Sequence, residues 1–228
     1  MRRLIIVRHG NTFQPGEIPT RVGKRTDLPL VENDRARKAG RLLRLYGCIP
    51  DRVFAAPLQR TLQTARLILR EMELSLDVRP APSFTEIDYG PDENQPEHHV
   101  QLRLGRHYLE QAGLDATHIS VEQIRLYGER VIRLWDTLAI PPQGWQMDTQ
   151  AIIAAWRALA AAIEEGETVL LISSNGIIRF APHLLPDTEL ACFTQQHELK
   201  VSTGGICIFA RDAGSWRCLH WNLKTDDS

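Results

Sequence analysis

The 228-residue chain carries 27 Lys and Arg against 28 Asp and Glu, a formal net charge of −1, with 43% of its residues apolar and 24% charged. That length suits one domain or at most two, and such a composition can bury a core without disulfides or a structural metal. The balanced charge lacks the electrostatic footprint of a nucleic-acid binder, so no nucleic-acid partner is expected. Cys48, Cys192, Cys207 and Cys218 are scattered with no C-x-x-C pair, which points to buried thiols in a reducing compartment and not to a disulfide frame or zinc site. The N-terminal apolar run covers only residues 4–7, shorter than a signal peptide or membrane span requires. A cytoplasmic protein with no membrane partner is the expectation.

Residues 4–7 are wholly apolar, as in a strand buried on both faces. Ala36, Ala39, Leu43 and Tyr46 fall at helical spacing over residues 33–46, with Gly47 as the stop. Residues 52–55 are expected as a second short strand. Pro57 then opens a helical pattern through Leu58, Leu62, Ala65, Leu69 and Met72. Residues 80–96, rich in Pro, Asp, Glu and Asn, are expected as a long loop. Residues 97–111 and 121–138 predict two helices, the second with Ser120 and Gln123 as a capping box. A Pro-Pro linker at 140–144 precedes a helix capped by Asp148 and running to Glu165, with Ile152, Trp156, Leu159 and Ile163 along its apolar stripe. Residues 168–173 predict a third strand, 177–185 a short helix, and 205–210 and 216–221 two last strands joined by an Asp-Ala-Gly-Ser turn. Strands alternating with helices predict an α/β three-layer sandwich, a mostly parallel central sheet flanked by helices. Ligands of such a fold gather beyond the carboxyl ends of the strands.

Those ends are chemically loaded. Arg8-His9-Gly10-Asn11-Thr12 follows the first strand, a helix start carrying Arg60 follows the second, and Ser174-Asn175-Gly176 follows the third, with Arg179 a turn later. Guanidinium forks match phosphate oxygens. A neutral imidazole beside two such forks is suited to attack phosphorus.

Five segments in order resemble the histidine phosphatase superfamily, the phosphoglycerate mutase-like proteins: residues 8–12, 22–30, 56–65, the acidic loop 84–90, and 169–179. The resemblance implies one phosphoglycerate mutase-like domain over 1–228, with a helical lid inserted at 91–147. It implies His9 as the phosphoryl acceptor, Arg8 and Arg60 as phosphate-binding arginines, and Glu86 as the acid that protonates the leaving oxygen and then activates water. Asn11, Gly23, Asn175 and Gly176 would line the phosphate site, and no metal or organic cofactor is implied.

Two departures stand out. The family's second histidine position is Asn175 here, an amide that can donate a hydrogen bond but carries no charge. After Glu86 the chain continues Ile87-Asp88-Tyr89-Gly90-Pro91-Asp92-Glu93-Asn94, and Asp88 is the nearest alternative acid. Arg179 is expected in a surface or ion-pair role. Glu97-His98-His99 is expected on a solvated helix face, because adjacent helical residues point about 100° apart. The functional expectation is a metal-independent phosphomonoester hydrolase acting on a small phosphorylated metabolite. The alternative is a weak or inactive phosphate-binding regulator, with a phosphomutase third. An exposed strand edge could pair two copies as a homodimer.

Overall fold

A computed structural model describes residues 1–212 and 214–224. Ala213 of the expected hairpin turn, and residues 225–228 of the expected domain, lie outside the described residues. Six strands form one sheet: β1 (Arg2–Arg8), β2 (Arg52–Ala55), β3 (Val78–Pro80), β4 (Thr168–Ser173), β5 (Ile206–Arg211) and β6 (Trp216–Leu223), in the order β3-β2-β4-β1-β5-β6. The pairs β3–β2, β2–β4 and β4–β1 are parallel, whereas β5 runs antiparallel to both its neighbours.

Side-chain alternation along the central strands divides the core into two faces. Ile5, Val7, Leu170 and Ile172 pack against α1 (Asp34–Leu45) and α2 (Gln59–Glu71). Leu4, Ile6, Val169 and Leu171 pack on the other face, under α5 (Thr149–Ala161) and residues of α4 (Val121–Leu138). Every residue of β4 is buried; its uninterrupted apolar run follows from being covered on both sides. The result is the three-layer α/β sandwich expected from the sequence. No helix among the described residues is long and apolar enough to cross a membrane.

Helix ends follow local chemistry. Gly47 sits at φ +62°, and the bonds Cys48 N–H to the Leu43 carbonyl (2.8 Å) and Gly47 N–H to the Arg44 carbonyl (3.0 Å) close α1 as a Schellman turn. Ser120 and Gln123 form the capping box of α4, and Asp148 caps α5 through the Ala151 N–H at 2.9 Å. The last of these helices ends at Ala161 and not at Glu165. Ile163 turns into the core, and the Glu164 N–H bonds the Glu167 carboxylate at 2.8 Å in place of a helical carbonyl.

Three other expectations are corrected. The short helix at 177–185 is a four-residue helix, α6 (Asn175–Ile178), followed by a 3-10 turn at Ala181–Leu184. Pro182 has no N–H to continue the ladder. The stretch placed in the loop from residue 80 is preceded by the edge strand β3, whose last residue is Pro80. A further helix, α7 (Asp187–Gln196), has only Phe193 buried, so no apolar stripe announced it. The thiols also differ from expectation: Cys48 and Cys207 are buried, Cys218 is intermediate and Cys192 is exposed.

Residues 91–147 contribute α3 (Glu97–Gln111) and α4. These helices cross at two glycines, so closely that a Cβ on Gly105 would lie 1.9 Å from the Ile124 carbonyl oxygen and one on Gly128 1.8 Å from that of Gln101. The tight crossing holds Ile132, Trp135 and Asp136 of α4 against the cavity described next.

Candidate active site

The carboxyl ends of β1 and β4 open into a cavity of about 800 Å³, within the range of small-molecule sites. Arg8, His9, Asn11, Glu86 and Asn175 line it together, although more than 160 positions separate the first from the last. Adjacent parallel strands explain the convergence. Arg8 is in register with Ser173, and the His9 N–H bonds the Ser173 carbonyl at 3.1 Å, so the two strand ends finish side by side. The acidic loop is fastened alongside: Ser173 Oγ donates to the Phe84 carbonyl at 2.7 Å, and Phe84 packs edge-on against Trp156 at 4.7 Å.

His9 is 7% exposed. Its Nδ1 lies 2.8 Å from the Gly10 carbonyl oxygen. A carbonyl only accepts, so Nδ1 carries the hydrogen and Nε2 keeps its lone pair. Burial, then the charges of Arg60 and Arg8, hold the imidazole well below its ordinary pKa of about 6.5. The ring is therefore neutral at physiological pH.

Arg60 is fully buried and lies behind the cavity, outside its lining. Its Nη1 donates to the Thr26 carbonyl at 2.8 Å and its Nη2 to the Gly23 carbonyl at 3.1 Å. Arg8 donates to the Val201 carbonyl. The Nε atoms of both arginines are buried without a partner among the described residues. Burial is the main cause lowering both guanidinium pKa values, yet a guanidinium starts so high that it stays cationic at neutral pH.

Glu86 is 4% exposed. Its carboxyl oxygens accept from the Ile87 N–H at 2.9 Å and from the Gly176 N–H at 3.2 Å. Gly176 touches the site only through that bond; a Cβ there would stand 2.1 Å from Glu86 Oε1. Asp88 is committed elsewhere, accepting from Arg25 at 3.1 Å and the Gly90 N–H at 2.8 Å, and does not line the cavity. Gly23 is likewise set back, its N–H on Glu93 at 3.1 Å. The Asn11 Oδ1 accepts from Thr203 at 2.9 Å.

Asn175 opens α6, so Asn-Gly here begins a helix and does not make a turn. Its Oδ1 accepts the Val201 N–H at 2.8 Å, which leaves the NH2 end of the amide as the group available to the cavity. Arg179 is only 1% exposed, correcting the surface expectation. Its guanidinium lies 3.8 Å from the Trp135 ring centre, pairs with Asp136 at 3.5 Å and donates to the Asn175 carbonyl at 3.2 Å. The ion-pair reading of Arg179 therefore stands, and burial pulls it down to about 10.

Sequence reasoning missed Arg21, Tyr89, Trp135, Asp136 and Lys200 on the cavity wall. Arg21 stacks on Trp145 at 4.7 Å and Tyr89 at 5.3 Å while its Nη2 donates to Glu97 at 2.6 Å. Tyr89 lies in the acidic loop already singled out, but no local pattern gives the others a role: Arg21 comes from a loop, Trp135 and Asp136 from α4 and Lys200 from the stretch before β5, and they meet only in the tertiary structure. His98 and His99 are exposed, and no group of three His, Cys, Asp or Glu side chains able to hold a metal ion occurs among the described residues.

Comparison with known proteins gives a consistent picture. A family model described as "Histidine phosphatase superfamily (branch 1)" matches residues 4–224. A 2,3-bisphosphoglycerate-dependent phosphoglycerate mutase of Baumannia cicadellinicola is 24% identical over 98% of this chain and 97% of its own length. The corresponding mutase of Afipia carboxidovorans is 34% identical over 90 residues, 39% of this chain, and the match spans less than half (44%) of that relative. Among solved structures, a mycobacterial glucosyl-3-phosphoglycerate phosphatase in complex with VO3 superposes with a TM-score of 0.65 at 18% identity, covering 98% of this chain and all of that one. That last likeness is one of fold.

Proposed function

Because the chain belongs to the histidine phosphatase superfamily, we propose that it is a metal-independent phosphomonoester hydrolase acting through a phosphohistidine at His9, on a small phosphorylated metabolite. The observation that carries this reading is the state of His9. It is a buried, neutral imidazole with its hydrogen on Nδ1 and the Nε2 lone pair free, set in the field of Arg60 and Arg8.

In the first half-reaction Nε2 attacks phosphorus. The P–N bond forms as the ester P–O bond breaks, and Glu86 gives its proton to the leaving oxygen. In the second half Glu86, now a carboxylate, takes a proton from water. The oxygen of that water attacks phosphorus, the P–N bond breaks, and inorganic phosphate leaves a neutral His9. Arg8 and Arg60 offset charge on the transferring oxygens. The Asn175 amide supplies a neutral donor where the family has a histidine; a positioned donor of this kind is worth ~10²–10³ in rate. The α3–α4 unit of residues 91–147 acts as the lid, with Ile132 and Trp135 shaping the space for the leaving group.

The test is hydrolysis of p-nitrophenyl phosphate between pH 5 and 8 in EDTA, beside His9→Ala. The variant is expected to keep its fold and lose ~10³-fold or more in kcat, and acid-labile, alkali-stable label should be trapped on the wild type. Full activity in His9→Ala would sink the proposal. The specific observation favouring a second reading, a phosphate-binding regulator, is the uncharged Asn175. Phosphate binding with no turnover in either protein would select it, and transfer of the label to an alcohol instead of water would select a mutase.

A further inference from the structure

Glu93 does not line the cavity, yet its carboxylate organises the wall behind it. Oε1 accepts from the Gly23 N–H (3.1 Å), the Arg25 N–H (3.1 Å) and the Thr26 hydroxyl (2.8 Å). Oε2 accepts from the Tyr89 N–H at 3.2 Å. Three of these four donors belong to the segment 23–26. The same segment turns two carbonyls the other way, those of Gly23 and Thr26, and both accept from the Arg60 guanidinium. Glu93, the 23–26 segment and Arg60 thus form one hydrogen-bonded relay, and Arg60 Nε is left without a partner among the described residues.

Close packing makes the relay stiff. A Cβ on Gly23 would stand 2.1 Å from Glu93 Oε2 and 2.8 Å from the Ile87 carbonyl oxygen, so the segment is pressed directly on the carboxylate. An arginine side chain has several rotatable bonds. Fixing its guanidinium before the ligand arrives removes an ordering cost from binding. Two of the contacts of Glu93, from the Gly23 and Tyr89 N–H groups, also satisfy backbone donors of buried residues.

We infer that Glu93 is a positioning residue for the phosphoryl site: by holding residues 23–26 it fixes the two carbonyls that accept from Arg60, and so fixes the guanidinium for the anion. This rests on the hydrolase reading, in which Arg60 binds the phosphoryl group.

The experiment is titration calorimetry with inorganic phosphate on the wild type, Glu93→Ala, Glu93→Gln, Arg60→Lys and the Glu93→Ala/Arg60→Lys pair, with melting temperatures recorded alongside. Glu93→Ala is expected to weaken phosphate binding about tenfold. Glu93→Gln keeps one oxygen for the 23–26 donors and should weaken it less, which preserves a test if the alanine variant is poorly folded. In the Arg60→Lys background the Glu93 change should add little, because both act through one guanidinium. Amide hydrogen exchange at Gly23 and Arg25 should accelerate in Glu93→Ala. Unchanged phosphate affinity in both Glu93 variants would overturn the inference, as would equal losses with and without Arg60. A wild type that binds no phosphate would overturn the hydrolase reading, and this inference with it.

Discussion

Two protons decide the chemistry available at the site: the one on His9 Nδ1 and the one absent from Nε2. The Gly10 carbonyl settles the tautomer; burial and two neighbouring guanidiniums settle the charge. Because the shift is downward, the folded protein keeps the ring neutral below about pH 6.5, where an unfolded chain would already be taking up a proton. Stability linked to His9 is therefore present above pH 6.5 and falls as acid is added towards the lowered native value. We predict that a carbon-13 NMR titration of His9 in the phosphate-free protein shows a neutral ring at pH 6.5. A midpoint at or above that pH would contradict the electrostatic account. His9, Arg8 and Arg60 were legible because each follows a strand or opens a helix in a recognisable segment. The direction of the Asn175 amide was not, since it depends on the Val201 N–H 26 residues further along.

At the scale of elements, the pairing of α3 with α4 shows how backbone contact replaces side-chain packing. Alanine is ordinarily the better helix former by about 1 kcal/mol over glycine. At Gly105 and Gly128 the sign reverses, because the added methyl meets main-chain carbonyls at 1.9 and 1.8 Å that cannot rotate away. Gly105→Ala or Gly128→Ala is expected to lower the unfolding free energy by about 1–3 kcal/mol, measured by urea denaturation. A variant as stable as its parent would show that the helices do not close at these glycines. The elements with strong periodicity or caps were readable along the chain: α1 with Gly47, α4 with Ser120, α5 with Asp148. β3 and α7 were not, being respectively three residues long and nearly without a buried face. The end of α5 at Ala161 was not readable: Ile163 is buried as its place in the stripe suggested, but the Glu164 N–H bonds the Glu167 carboxylate and not a helical carbonyl.

Across the whole molecule, β4 is inserted between β1 and β2 although it lies some 160 residues after the first, as the pairing of Arg3 with Thr168 shows. This places the most completely buried strand at the centre and leaves β3 and β6 as edges. Local opening should follow that arrangement. In native-state hydrogen exchange, amides of β1 and β4 are predicted to exchange only through global unfolding, whereas those of β6 exchange faster. Protection of β6 equal to that of β4 would mean that this edge is covered, as pairing of two copies would cover it.

The amino-acid sequence by itself determined the α/β class, the apolar runs that bury both faces of the central strands, and the placing of His9, Arg8 and Arg60 beside the ends of the first two strands. These depend on short-range periodicity and on motifs confined to a few consecutive residues. Only the tertiary structure decided which carboxylate faces the cavity, which end of Asn175 is free, that Arg179 is buried in an ion pair, and that Glu93 reaches Arg60 through the segment between them. Each of those outcomes is a hydrogen bond or a packing contact between residues far apart in the chain, and its geometry exists only once the strands, helices and loops have been brought together.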